Sequence, residues 1–355
     1  MRFPFFLALP FALVAASPGE VLREFVYDSA PFPECHASTI AETPGGLVAS
    51  WFGGTREKHP DVGIWVARHD AGHWSVPEEV ANGVQSDGRR LPCWNPVLHA
   101  ARSGELLLFY KVGPSPDTWW GLLRTSRDNG RTWSAPIHFP RDILGPVRNH
   151  PVELGDGTLL CGSSTEDGGW KVHFERTKDN GRNWERSPSV PDPLHGELIQ
   201  PALAVLGPDR VAAFCRSRHG AIYRTDTHDG GKSWSEPRPT SLPNPNSGID
   251  AVTLRDGRIL LVYNHTGGLW GRRSPLNVAL SKDGDTWEAA AVLEDEPQRE
   301  FSYPAVIQTT DGLVHVAYTW KRKRIRHVVL DPSKLEPHPI RDWDHSLRPA
   351  RPAQP

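Results

Sequence analysis

The chain has 355 residues, with 32 Gly, 34 Pro, 14 Trp and a single Met. Gly and Pro together make up roughly a fifth of it, well above the usual share, and helix interiors tolerate neither, so a helical bundle is excluded. A hydrophobic content of 38% excludes a polytopic membrane protein, and a formal charge of -2 leaves no electrostatic footprint for nucleic acid or an acidic membrane surface. What remains is a loop-rich, all-β chain, a class in which one unit often reaches this length.

The N-terminus reads MRFPFFLALPFALVAAS. Arg2 precedes an apolar run, Phe3 to Ala15, too short to span a bilayer. Val14 and Ala16 put small residues where a signal peptidase cuts, so residues 1–16 read as a signal peptide. The expected product is secreted or periplasmic, with no stable membrane association after cleavage. Residues 21–340 read as one domain, and the aperiodic 341–355 as a frayed tail. Export makes disulfides chemically accessible. Cys35 and Cys93 occupy similar points of successive repeats and are candidates to pair, whereas Cys161 and Cys215 fall in strand-like apolar runs. No CxxC spacing or Cys/His cluster suggests a metal, and no cofactor is implied.

Self-similarity recurs with a period of roughly 50 residues. SRDNGRTW, TKDNGRNW, THDGGKSW and SKDGDTW end at Trp133, Trp184, Trp234 and Trp287, and a weaker RHDAGHW ends at Trp74. Asp and Gly supply turn geometry while Trp packs the turn against a neighbouring strand, the pattern of an Asp-box hairpin. Before each box a polar residue leads an apolar run, a Gly-containing turn and a second apolar run. The six leading residues are His36, Asn95, His150, Gln200, Asp250 and Tyr303. Six such units predict a six-bladed β-propeller with Asp-box hairpins, in which VLREFVYD joins the last blade and closes the ring. The first strand of each blade lines the axis, so these six residues are expected to ring one funnel.

These motifs resemble the sialidase (neuraminidase) family over roughly residues 30 to 330. The resemblance implies a Tyr nucleophile with a Glu partner, an Asp acid/base and three arginines on a substrate carboxylate. By motif, FCRSRHG implies Arg216 as one arginine and GRRSPLNVALSKDG implies Arg273 as another. FSYPAVIQTTDG implies Tyr303 as nucleophile, and TREKHPDVGIW implies Asp61 as acid/base. A phenol avoids charge repulsion with an anionic sugar, and paired guanidiniums orient a carboxylate; sialidases are the Tyr-nucleophile exception among glycosidases.

The departures are equally specific. His36 stands at the first arginine's position, Gln200 at that of the Tyr-activating Glu, and Thr319 replaces a supporting Glu. Asp250, in the blade next to that of Tyr303, is the candidate base, with Glu197 as a second. His36, Asn95, His150 and Gln200 complete the expected substrate-binding ring around Arg216 and Arg273. The resulting expectation is an exo-glycosidase acting on a terminal anionic sugar, sialic acid or uronic acid-like, of a glycan or oligosaccharide. A uronic-acid polysaccharide lyase and a non-catalytic glycan-binding propeller are the alternatives.

Overall fold

A computed structural model describes residues 18–191, 196–297 and 299–340; the segments read as signal peptide and tail lie outside the described residues. Six antiparallel sheets follow one another along the chain, with no α-helix among the described residues. Their innermost strands are Glu34–Thr43, Cys93–Ala100, Val152–Glu153, Leu198–Val205, Asp250–Thr253 and Phe301–Gln308. The expected six-bladed propeller is what forms. Glu20–Phe25 pairs with Arg324–Leu330, so the first described strand completes the last blade. His338–Pro339 adds to the outer edge of blade 5 through Glu288 and Ala289.

The Asp-boxes work as local clamps. In blade 4, Thr227 Oγ1 donates to Asp229 Oδ1 at 2.8 Å and accepts from Gly231 N at 3.0 Å. Asp229 in turn accepts from Ser233 N and Oγ at 3.0 and 2.6 Å. Gly230 and Gly231 have φ of 69° and 85°, the left-handed region that an L side chain rarely adopts. Each box Trp reaches back to the preceding blade. Trp234 stacks on Phe174 at 3.5 Å between centroids, and Trp287 meets Phe214 edge-on at 5.4 Å. The degenerate box does the same across the ring closure, where Trp74 Nε1 donates to Glu24 of the closing strand at 2.8 Å. The repeat therefore supplies both turn and blade-to-blade adhesive.

All four cysteines are buried free thiols. Cys35 and Cys93 are equivalent in register, as expected, yet they do not pair. One belongs to the core that includes Trp51 and Ile325, the other to the core that includes Ile64 and Leu98. Burial pushes the Cys35 thiol up to about 12.

Counting back from the hairpins corrects the expected ring. Gly46, Gly104, Gly157, Gly257 and Gly312 each turn the first hairpin of a blade with φ between 81° and 111°. The residues nine positions before them are Ala37, Asn95, Arg148, Gly248 and Tyr303, and Gln200 stands equally far before Asp209. Strand pairing agrees: the bulges fall between His36 and Thr39, Trp94 and Val97, Ile199 and Ala202, and Ser302 and Ala305. His36 is thus equivalent to Ser302, one residue earlier than Tyr303. His150 and Asp250 are equivalent to Ala305, two residues further along the axis.

Candidate active site

Where the innermost strands begin, a cavity of about 290 Å³ opens at one mouth of the axial channel. Tyr303 sits in its floor, 9% exposed, at a bulge that gives it a φ of 53°. A left-handed residue before a proline is strained, and Asn95 and Gln200 repeat the arrangement at 33° and 55°. Gly248 makes room for the phenol ring, because a Cβ there would lie 3.2 Å from it. Local strain and a missing side chain together fix one aromatic ring at the channel mouth.

Arginines surround that ring. Arg216 Nη1 donates to Tyr303 Oη at 2.7 Å and to Gln200 Oε1 at 3.2 Å, while Nε donates to Asn246 Oδ1 at 2.7 Å. The guanidinium carbons of Arg148, Arg273 and Arg216 lie 5.1, 5.5 and 5.9 Å from the ring centroid. Arg273 Nη1 pairs with Glu300 Oε1 at 2.9 Å, and Arg322 joins Glu300 to Glu57 at 3.0 and 2.6 Å. Burial would raise the Glu300 carboxyl, but Arg273 and Arg322 outweigh it and hold it below its ordinary value. Arg216 differs from both, since no carboxylate pairs with it among the described residues. Burial lowers its guanidinium from the ordinary value.

His36 also lines the cavity, 3% exposed, with its ring 4.2 Å from that of Tyr303. Burial first, then Arg322, Arg273, Arg148 and Arg216, push it well below the usual imidazole range, which favours the uncharged ring. Thr319 Oγ1 meets His36 Nδ1 at 3.0 Å and accepts from Ala37 N at 3.1 Å. Asn95 and Gln200 complete the polar floor, and Trp94, Trp119, Trp170 and Trp270 supply aromatic surface.

Two of the six expected residues lie elsewhere. His150 Nδ1 meets Asp250 Oδ2 at 3.0 Å, and His150 Nε2 meets Ile40 O at 2.8 Å. Asp250 Oδ2 also accepts from Val306 N at 2.9 Å. These contacts stitch the inner strands across the channel, and His150 lines a second cavity, at the opposite mouth. Asp250 therefore makes no hydrogen bond to Tyr303, because its two-residue displacement carries it down the axis. Glu197 faces Arg218 instead, at 3.7 Å.

Asp61 is likewise not in the cavity lining. Its carboxylate accepts from Thr55 N at 3.0 Å and Thr55 Oγ1 at 2.6 Å, with His59 Nδ1 at 2.7 Å. Its modest burial opposes ionisation, but these hydrogen bonds prevail and lower it. From the same loop it is Glu57 and Lys58 that line the cavity, Lys58 with a φ of 72°. Among the described residues, the carboxyl group of the cavity lining with no ion pair is Glu166, on the loop after Leu159–Thr165. Burial raises it, against the pull of Arg216.

Sequence reasoning missed Arg148, Glu166 and Glu300. Counting to the hairpin glycine finds Arg148, whereas Glu166 hides in TEDGGW, which reads as one more turn. Arg322 belongs to the basic run KRKR, whose first three residues form the turn between Val314–Trp320 and Arg324–Leu330, where Arg322 has a φ of 54°. Among the described residues, no group of three or more His, Cys, Asp or Glu is placed to hold a metal ion.

A family model described as a BNR repeat-like domain matches residues 45–316. A sialidase from Bacteroides fragilis (strain YCH46) is 23% identical over 235 residues, which cover 61% of this chain and 41% of that protein. The chain thus aligns with about two fifths of the length of that curated relative. The NanB sialidase of Streptococcus pneumoniae superposes with a TM-score of 0.70 at 13% identity, covering 90% of this chain and 71% of that one. The intramolecular trans-sialidase of Ruminococcus gnavus superposes with a TM-score of 0.72 at 12% identity, covering 92% and 100%. At these identities the superpositions establish the fold.

Proposed function

The chain belongs to the BNR repeat-like domain family, with a sialidase-like propeller, and from that premise we propose that it is an exported exo-glycosidase of terminal anionic sugars. The sugar is a sialic acid or a uronic acid-like residue on a glycan. One observation carries the reading: Arg216, 4% exposed, lines an open cavity, has no carboxylate partner among the described residues and touches the phenol of Tyr303. A buried cation without a counter-ion favours an anion brought by a ligand.

In this reading Arg216 anchors the sugar carboxylate beside Tyr303. The phenolic proton passes to cavity water, and Tyr303 Oη bonds to the anomeric carbon as the aglycone C–O bond breaks. Glu166, raised by burial, gives the leaving oxygen its proton, a role that the locked carboxylate of Asp61 does not fit. Water then attacks the same carbon and yields its proton to Glu166, while Tyr303 departs and is reprotonated from solvent.

The test is hydrolysis of chromogenic sialosides and uronides by the wild type and Tyr303→Phe. The wild type is expected to turn over at least one carboxylated substrate. Tyr303→Phe should lose about 10³-fold or more in kcat while still binding the sugar acid. Full activity of the Phe variant overturns the nucleophile assignment. Gln200, an amide beside Arg216 where a base would help, favours glycan binding without catalysis as the second reading. Saturable binding with no product across the panel would establish it.

A further inference from the structure

Resting on that reading, we propose that Arg148 is a positioning residue that activates Tyr303, by keeping a positive charge against its ring where no carboxylate takes the phenolic proton. Arg148 occupies in blade 3 the register position that Tyr303 occupies in blade 6, so the two side chains approach from different blades at the axis. It is 1% exposed. Its Nη2 donates at 2.6 Å to the carbonyl of Pro304, the residue that follows Tyr303. Its guanidinium carbon lies 5.1 Å from the centroid of the phenol ring. The same side chain thus holds the strained bulge and faces the ring that the bulge presents.

Structural need alone does not account for it. Nε and Nη1 are buried without a hydrogen-bond partner, and no ion pair forms with Arg148 among the described residues. An uncompensated buried cation is unfavourable unless something else benefits from the charge. Burial drags this guanidinium down to about 10, with Asp250 and then Tyr303 opposing the fall. Asp250 spends one oxygen, Oδ2, on His150 and Val306 N, and no ion pair joins it to Arg148 among the described residues. After Asp250, the group that gains from the charge is the oxygen of Tyr303, to which Arg216 already donates and which becomes negative when its proton leaves.

With no carboxylate hydrogen-bonded to Tyr303 among the described residues, stabilising the phenolate replaces removing the proton. A unit charge about 5–7 Å from that oxygen, at an effective dielectric near 20, corresponds to roughly 50- to 300-fold for a full phenolate, and to roughly 10- to 100-fold for the partial charge left on the attacking oxygen in the transition state.

The experiment compares wild type, Arg148→Gln, Arg148→Lys and Tyr303→Phe. On a carboxylated aryl glycoside, Arg148→Gln is expected to lower kcat by roughly 10- to 100-fold, with KM within about twofold. The acid limb of its pH–rate profile should move to higher pH, and Arg148→Lys should restore part of both. Independently of turnover, the tyrosinate absorbance that disappears in Tyr303→Phe should develop at higher pH in Arg148→Gln than in the wild type. A folded Arg148→Gln with unchanged kcat, or with superimposable pH and absorbance titrations, overturns the inference and leaves Arg148 a structural tie. Should Arg148→Gln not fold, Arg148→Met takes its place with the same outcomes: a tyrosinate titration displaced to higher pH supports the role of charge, and a superimposable one refutes it. If the wild type hydrolyses no glycoside, the glycosidase reading fails, and the absorbance titration still decides whether Arg148 acts on Tyr303.

Discussion

Replacing Arg216 by Ala separates anion recognition from every other feature of the cavity. The side chain donates to Asn246, Gln200 and Tyr303, so it is fixed before any ligand arrives and loses little entropy on binding. Hydrogen bonds to charged groups contribute about 1.5–3 kcal/mol each. One such bond from Nη2, which those three contacts leave free, gives about 1.5–3 kcal/mol, or roughly 10- to 150-fold in affinity. Calorimetry should compare a free sugar acid with its uncharged amide on both proteins. The wild type should prefer the acid, and Arg216→Ala should bind acid and amide alike. Arg273→Ala should have a smaller effect, because Glu300 already compensates Arg273. Equal binding of acid and amide by the wild type, or full acid preference in Arg216→Ala, would refute the anion-site argument.

Removal of Trp234 tests the blade-to-blade role of the boxes. Trp234→Ala deletes the stack on Phe174 and should destabilise by about 2–3 kcal/mol, less than full burial would give, as read by chemical denaturation. Asp229 and Asp283 are held down at about 2 in the fold, for Asp229 by Ser233 and Thr227 against a desolvation that opposes it, and for Asp283 chiefly by the Thr286 and Asp285 amides. Their contribution is complete above the unfolded value near 3.9 and is lost as pH falls through about 2. Circular dichroism should accordingly show stability declining between about pH 4 and 2, and less steeply in a variant with both residues changed to Asn. Lys111 is buried and lowered to about 7 by desolvation, with Glu175 opposing. Unfolding therefore takes up a proton between about pH 7 and 10.4, so wild-type stability from this group rises across that window. Melting temperatures of Lys111→Met relative to wild type should be more favourable at pH 6 than at pH 10.

The cavity face was only partly legible because its parts repeat with different precision. Tyr303, Asn95 and Gln200 precede prolines, and that pair marks the strained bulge in sequence. In blade 3 the proline follows His150, and in blade 5 none follows Asp250, so matching polar residues by their neighbours slid both strands by two positions. The hairpin glycine is the firmer origin, since a left-handed turn fixes it in space. Asp61 carries the right residue type in the right loop, but Thr55 and His59 satisfy its oxygens locally. No one-dimensional pattern shows which carboxylate a neighbouring hydroxyl has already engaged.

By itself the sequence determined the fold. Turn chemistry and box tryptophans act within a few residues and across one blade boundary, so six copies dictate a ring. It also placed Tyr303, Arg216 and Arg273 together at one mouth of the channel. Which charges are compensated was left to the tertiary structure, because compensation joins residues from different blades. Glu300 satisfies Arg273 and Arg322, Asp250 turns to His150, and Arg148 and Arg216 are left facing a phenol. The uncompensated charge arises only when the ring closes.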